Sequence, residues 1–110
     1  MCSSCVSGRH ELGYEWAKEY ASEFKKSRDG GYKLERGYVP DEKTAIAIAV
    51  SVWKPIYGDS SIEMQAPYFA YLVDDLWIVT GSLPKWTKGG TAKAIIDKNN
   101  GKVLHIMHYK

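Results

Sequence analysis

The stretch DEKTAIAIAVSVWKPIYG, Asp41 to Gly58, constrains this chain more than any other. Ala45, Ala49, Val52 and Ile56 recur at i, i+4, i+7 and i+11, with Ile46, Ile48 and Trp53 widening the stripe. That spacing predicts a helix with one buried face, leaving Lys43, Ser51 and Lys54 for the outer side. Asp41 follows Pro40 and fits an N-cap, because its carboxylate can accept from the first free backbone N–H groups. Pro55 lacks an N–H and clashes with the preceding turn, so the helix should kink or tighten there, and Gly58 supplies the left-handed residue that commonly follows a helix.

A second helix is predicted over about Leu12 to Ser27, where Trp16, Ala17, Tyr20, Ala21 and Phe24 form an aromatic stripe opposite Glu and Lys residues. The stripe reads as core packing. Arg28-Asp29-Gly30-Gly31 breaks that helix, and Tyr32 to Val39 reads equally as a short strand or an extended connector. Asp59 to Gln65 reads as a polar crossing.

After it the period changes from helical to alternating. Ala66 to Val73 is the first predicted strand, Asp74-Asp75 a tight turn, and Leu76 to Leu83 the return strand, with Trp77 and Val79 on one face. Pro84 to Gly89 is a loop. Gly90 to Ile96 is a third strand, whose Ala92 and Ala94 would admit a helix at close range. A turn over Asp97 to Lys102, containing Asn100-Gly101, leads to a last strand from Val103 to Tyr109. The predicted fold class is α+β: two N-terminal helices packed on a four-stranded antiparallel meander sheet, two-layer and cone-like. The predicted organisation is a flexible tail over residues 1–10 and one domain over 11–110.

Charge limits the partners. With 15 Lys+Arg against 13 Asp+Glu, the net charge of +2 gives no basic surface of the kind nucleic acid requires. The balance is uneven along the chain. From Pro55 to Pro84 there are four acids and no Lys or Arg, whereas Lys85, Lys88, Lys93, Lys98, Lys102 and Lys110 follow with only Asp97 against them. Such polarity suits docking to a charged protein. No run approaches the roughly 18 apolar residues of a spanning helix.

The only two cysteines, Cys2 and Cys5, lie in MCSSCVSG. No strand precedes them as a thioredoxin-like motif requires, and two thiols with His10 do not complete a zinc site. The same residues fit either a plain tail, with the thiols free or joined in a disulfide, or the mature start of a lipoprotein with Cys2 as lipid anchor. The anchored form would be periplasmic or membrane-attached; otherwise the chain is expected in the cytoplasm.

No catalytic constellation emerges. His105 and His108 are three apart in a strand and point to opposite faces, so each reads as an edge or surface histidine. Asp74 and Asp75 are adjacent in a turn and unsuited to work across a substrate. No phosphate loop, nucleophile elbow or zinc helix occurs, and no cofactor or metal is called for. Trp53, Trp86, Tyr57, Tyr68, Tyr71 and Tyr109 exceed what one small core can bury, and surface Trp and Tyr are common interface anchors. Trp86, between Lys85 and Lys88, is the best candidate; its other reading is a lid folded over the core. Tyr57 completes the candidate partner-binding set.

From Val39 to Lys110 the chain resembles the nuclear-transport-factor-2-fold immunity proteins of bacterial polymorphic toxin systems. The resemblance rests on VPDEKTAIAIA, KPIYG, APYFAYLVDDLWIVTGSLP, the glycine pair of TKGGTAKAIIDK, and NNGKVLHIMHYK. It implies a non-catalytic protein that binds and neutralises a cognate toxin, with Pro55, Tyr57, Gly58, Trp77, Gly81, Pro84, Gly89, Gly90 and Gly101 in structural roles. The hairpin ending in Gly101-Lys102-Val103 also resembles small periplasmic peptidase-associated inhibitory modules, secreted or lipid-anchored, which gives the alternative expectation.

Overall fold

A computed structural model of the chain describes residues 11–28, 31, 35–85 and 87–109. Cys2, Cys5, His10, Trp86 and Lys110 lie outside the described residues, as does the 32–34 part of the undecided connector. The chain divides into two compact units, residues 1–32 and 33–110.

The first unit contains α1 (Gly13–Ser27), which has the expected extent. Arg28 closes it with φ 56°, donating its N–H to the Phe24 carbonyl at 2.6 Å. Trp16 and Tyr20 stack with ring centroids 5.2 Å apart. The expectation that this aromatic stripe forms core is corrected: Trp16, Tyr20 and Phe24 are all exposed.

The second unit carries α2 (Glu42–Tyr57), α3 (Asp59–Glu63), β1 (Phe69–Val73), β2 (Leu76–Thr80), β3 (Ala92–Asp97) and β4 (Val103–His108). The strands form one antiparallel meander in the order β1-β2-β3-β4, so the class is α+β with the helices N-terminal to the sheet. Asp41 is the N-cap of α2, its Oδ1 accepting the Thr44 N–H at 2.8 Å. Hydrogen bonding from Thr44, first through the side chain and then through the backbone, holds the Asp41 carboxyl below its ordinary value.

The buried line of α2 runs through Ala45, Ala49 and Trp53, and the predicted stripe needs one correction. Ile56 is exposed. The i, i+4, i+8 line stays over the sheet, whereas Ile56 falls in the last turn, beyond Trp53. The small alanines bring the α2 backbone close, and β3 answers with Ala92, Ala94 and Ile96, all fully buried. Trp53 fills the remaining volume, and its Nε1–H donates to the Lys93 carbonyl at 3.1 Å. Trp77 donates from Nε1 to the Val39 carbonyl at 2.7 Å. Each buried indole thus has the partner its polar edge requires.

Residues 35–40 form a connector rather than a strand. Val39 and Tyr38 donate their N–H groups to the carbonyls of Lys98 and Asn99, at 3.0 and 3.2 Å. Gly37 makes this approach feasible. It has φ 85°, and a Cβ there would meet the Lys98 carbonyl oxygen at 2.5 Å.

A further correction concerns a segment read from the sequence as polar. Asp59 to Gln65 is not a mere crossing, since it forms α3 and buries Ile62 completely and Gln65 almost so. The hairpin turn over 97–102 stands where the sequence places it, between β3 and β4. Asp97 organises it, accepting the Asn99 N–H on Oδ1 at 2.8 Å and the Gly101 N–H on its carbonyl at 2.9 Å. The strands are also shorter than predicted at the 66–68, 81–83 and 90–91 ends. At the other hairpin, Asp74 and Asp75 both adopt positive φ, 49° and 64°, as a two-residue type I′ turn demands.

Candidate functional site

The candidate site lies at one end of the sheet, where β1 begins, β2 and β4 end and β3 begins. An open cleft of about 450 Å³ lies there, lined by Ser61, Met64, Gln65, Leu83, Pro84, Thr87, Gly90 and His108. Its wall is built by contacts distant in sequence. Gln65 accepts the Ala92 N–H on Oε1 at 2.8 Å, and its backbone carbonyl accepts the Ser82 N–H at 2.8 Å. Ser82 in turn donates from Oγ to the Pro67 carbonyl at 2.7 Å. One buried amide thereby ties the segment after α3 to the ends of β2 and β3.

The same side chain fixes His108. With Oε1 occupied by Ala92, the Gln65 amide nitrogen faces His108 Nε2 at 3.1 Å. An amide NH₂ can only donate, so Nε2 accepts and the ring proton sits on Nδ1. The Tyr57 ring packs against this imidazole at 5.0 Å between centroids. His108 was expected at the surface; it is instead half-buried and engaged on both sides. His105, on the opposite sheet face, is exposed as expected. A bulge between Ile95 and Ile96 inserts Leu104 opposite the ladder and leaves Ile106 and His108 on the α2 face with Ala94 and Ala92.

Of the predicted partner-binding residues, Tyr57 forms the buttress behind His108. Lys85 and Lys88 are exposed in the loop whose Pro84 and Thr87 line the cleft. Thr87 donates its N–H to the Pro84 carbonyl at 3.1 Å, a turn that holds the loop at the cleft mouth. Trp86 lies outside the described residues. Met64, 76% exposed on the facing side, adds an adaptable apolar contact. Gln65 and His108 were missed as site residues. A glutamine in a polar run carries no local signal, and His108 acquires its role only through a partner 43 positions away.

Chemically, the cleft offers an apolar floor from Met64, Leu83 and Pro84 and two nearby cations. Among the described residues there is no group of three His, Cys, Asp or Glu able to hold a metal ion. Among them, too, no helix is long and apolar enough to cross a membrane.

Comparison with known proteins gives a family. The model of the NTF2 fold immunity proteins matches residues 44–110, more than half of the chain and all of the sheet. The chain is 36% identical over 73 residues to the uncharacterized protein YbbC of Escherichia coli K12, an alignment covering 66% of this chain. The matched stretch spans 60% of that protein's length. No solved structure matches.

Proposed function

The chain belongs to the NTF2 fold immunity protein family, and on that premise we propose that it binds one cognate bacterial toxin and neutralises it by contact, without catalysis. The observation that carries the reading is the juxtaposition at the cleft mouth. An apolar cleft with a rigid wall, Gln65–His108–Tyr57, stands beside a loop presenting Lys85 and Lys88. Rigid walls lower the entropic cost of association, and exposed lysines steer an acidic partner toward them. Trp86, at the centre of that loop, is the proposed anchor.

The experiment is co-expression with the product of the gene immediately upstream, followed by sizing chromatography and a growth assay. Co-elution with relief of toxicity is expected. In that complex Trp86→Ala should cost about 2 kcal/mol or more, roughly thirtyfold in affinity. Joint substitution of Lys85 and Lys88 by Glu should slow association more than it speeds dissociation. Separate peaks with unrelieved toxicity would overturn this pairing and favour the peptidase-associated inhibitory reading. An affinity unchanged by Trp86→Ala would move the interface off the loop.

A further inference from the structure

β1 is an edge strand, and its sequence, Phe-Ala-Tyr-Leu-Val, contains no charge and no proline. Edge strands of soluble proteins are ordinarily blunted by Lys, Pro, bulges or cover, because unpaired backbone groups recruit another strand. The opposite edge, β4, is interrupted by its bulge at Leu104. Among the described residues β1 itself carries no such device, and no strand other than β2 pairs with it.

The register says which groups are free. The two-residue turn at Asp74-Asp75 closes on Val73 and Leu76, which therefore exchange both of their hydrogen bonds. Alternation makes Tyr71–Ile78 and Phe69–Thr80 hydrogen-bonded pairs as well. Ala70 and Leu72 are left with N–H and C=O directed away from β2. Phe69, Tyr71 and Val73 are exposed on the sheet face opposite Ala70, and this apolar surface continues through Leu76, Ile78 and Ile95.

We propose that β1 pairs antiparallel with β1 of a second copy of this chain about a twofold axis at Tyr71, joining two four-stranded sheets into one of eight. Charge identifies the occupant. Asp74 and Asp75 sit at the C-terminal end of β1. The loop that presents Lys85 and Lys88 leaves β2 at the end of the sheet where β1 begins, its start tied there by the Ser82 hydrogen bond to Pro67. A strand added antiparallel to β1 would match these ends if basic at its start and acidic at its finish. This chain's own β1 has that polarity. Twofold pairing brings the lysine end of each copy to the aspartate end of the other, with no like charges opposed along the five residues. Ala70 and Leu72 of one copy then exchange hydrogen bonds with Leu72 and Ala70 of the other. Tyr71 faces its counterpart, and Phe69 faces Val73.

Sedimentation velocity of the full chain over a wide concentration range tests this. A monomer–dimer equilibrium that weakens with salt is expected. Tyr71→Lys sets two ammonium groups opposite each other at the axis, and Leu72→Pro removes an outward N–H; each should weaken the dimer by at least about tenfold. Circular dichroism checks that both variants remain folded. In the wild-type chain, amide exchange at Ala70 and Leu72 should slow as concentration rises, a readout independent of either variant. A monomer at every concentration, or a dimer that neither folded variant weakens, would overturn the proposal. So would exchange at Ala70 and Leu72 that ignores concentration, which also decides the matter should both variants misfold.

Discussion

Gly81 and Gln65 compete for one space: a Cβ on Gly81 would stand 2.8 Å from the Cβ of Gln65 and closer still to its Oε1. The Gln65 side chain cannot swing aside, because Oε1 accepts from Ala92 and the amide nitrogen holds His108. Gly81→Ala should therefore destabilise the fold by about 1–3 kcal/mol, the usual range for overpacking. Gln65→Ala should also destabilise, by about 1–3 kcal/mol, since it leaves the buried Ala92 N–H without an acceptor. In the double variant the contact with Oε1 disappears while the 2.8 Å Cβ–Cβ contact stays, so its loss should be smaller than the sum of the two although the strain is only partly relieved. Thermal melts of the four proteins measure that coupling, and strict additivity would refute the shared-space account.

The placement of Ile62 and Ile56 gives a second comparison. Ile62 is completely buried in the short α3, whereas Ile56, on the apolar stripe of α2, is 57% exposed. Ile62→Ala should cost about 2–5 kcal/mol by cavity formation, whereas Ile56→Ala should stay within about 0.5 kcal/mol. Urea titrations with unchanged slopes would check this order directly.

The Asp74-Asp75 turn stores removable strain. Both residues occupy the left-handed region, at φ 49° and 64°, where an L-side chain meets the following carbonyl. Asn-Gly is the preferred occupant of such a turn. Replacing Asp74 by Asn and Asp75 by Gly should stabilise the protein by about 1 kcal/mol, raising the melting temperature by roughly 4–8 °C. The Lys98 N–H bond to the Asp75 carbonyl uses backbone only and should survive.

Asp41 makes stability depend on acid. Its carboxyl is held below its ordinary value by Thr44, so the folded state favours the ionised form. This contribution is fully present above the ordinary carboxylate value and is lost as pH falls through the lowered folded value. Asp41→Asn keeps an acceptor oxygen for the Thr44 N–H but cannot titrate. The margin of wild type over Asp41→Asn in melting temperature should be flat at neutral pH and shrink on acidification. A margin that grows in acid would show that the sign is wrong.

Local pattern determined much of this fold. The caps of α2, the apolar face that carries Ala45 and Ala49, the four strands and their antiparallel order were legible because helical and strand periodicities are written residue by residue. The polar turn at Asp74-Asp75 and the opposed faces of His105 and His108 were legible for the same reason. Tertiary structure alone decided the rest. α3 is too short for periodicity to register, and Ile62 is buried because α3 packs against α2 within the core, with the Tyr68 hydroxyl donating to its carbonyl at 2.8 Å. Gln65 reaches Ser82, Ala92 and His108, partners 17, 27 and 43 residues away. The cleft wall, the tautomer of His108 and the requirement for glycine at 81 all depend on those three contacts. A sequence read locally specifies which face of each element is apolar, but not which distant polar group will satisfy a buried amide. Chain closure settles that, because a buried hydrogen-bonding group left unpaired costs more than the ordering needed to pair it.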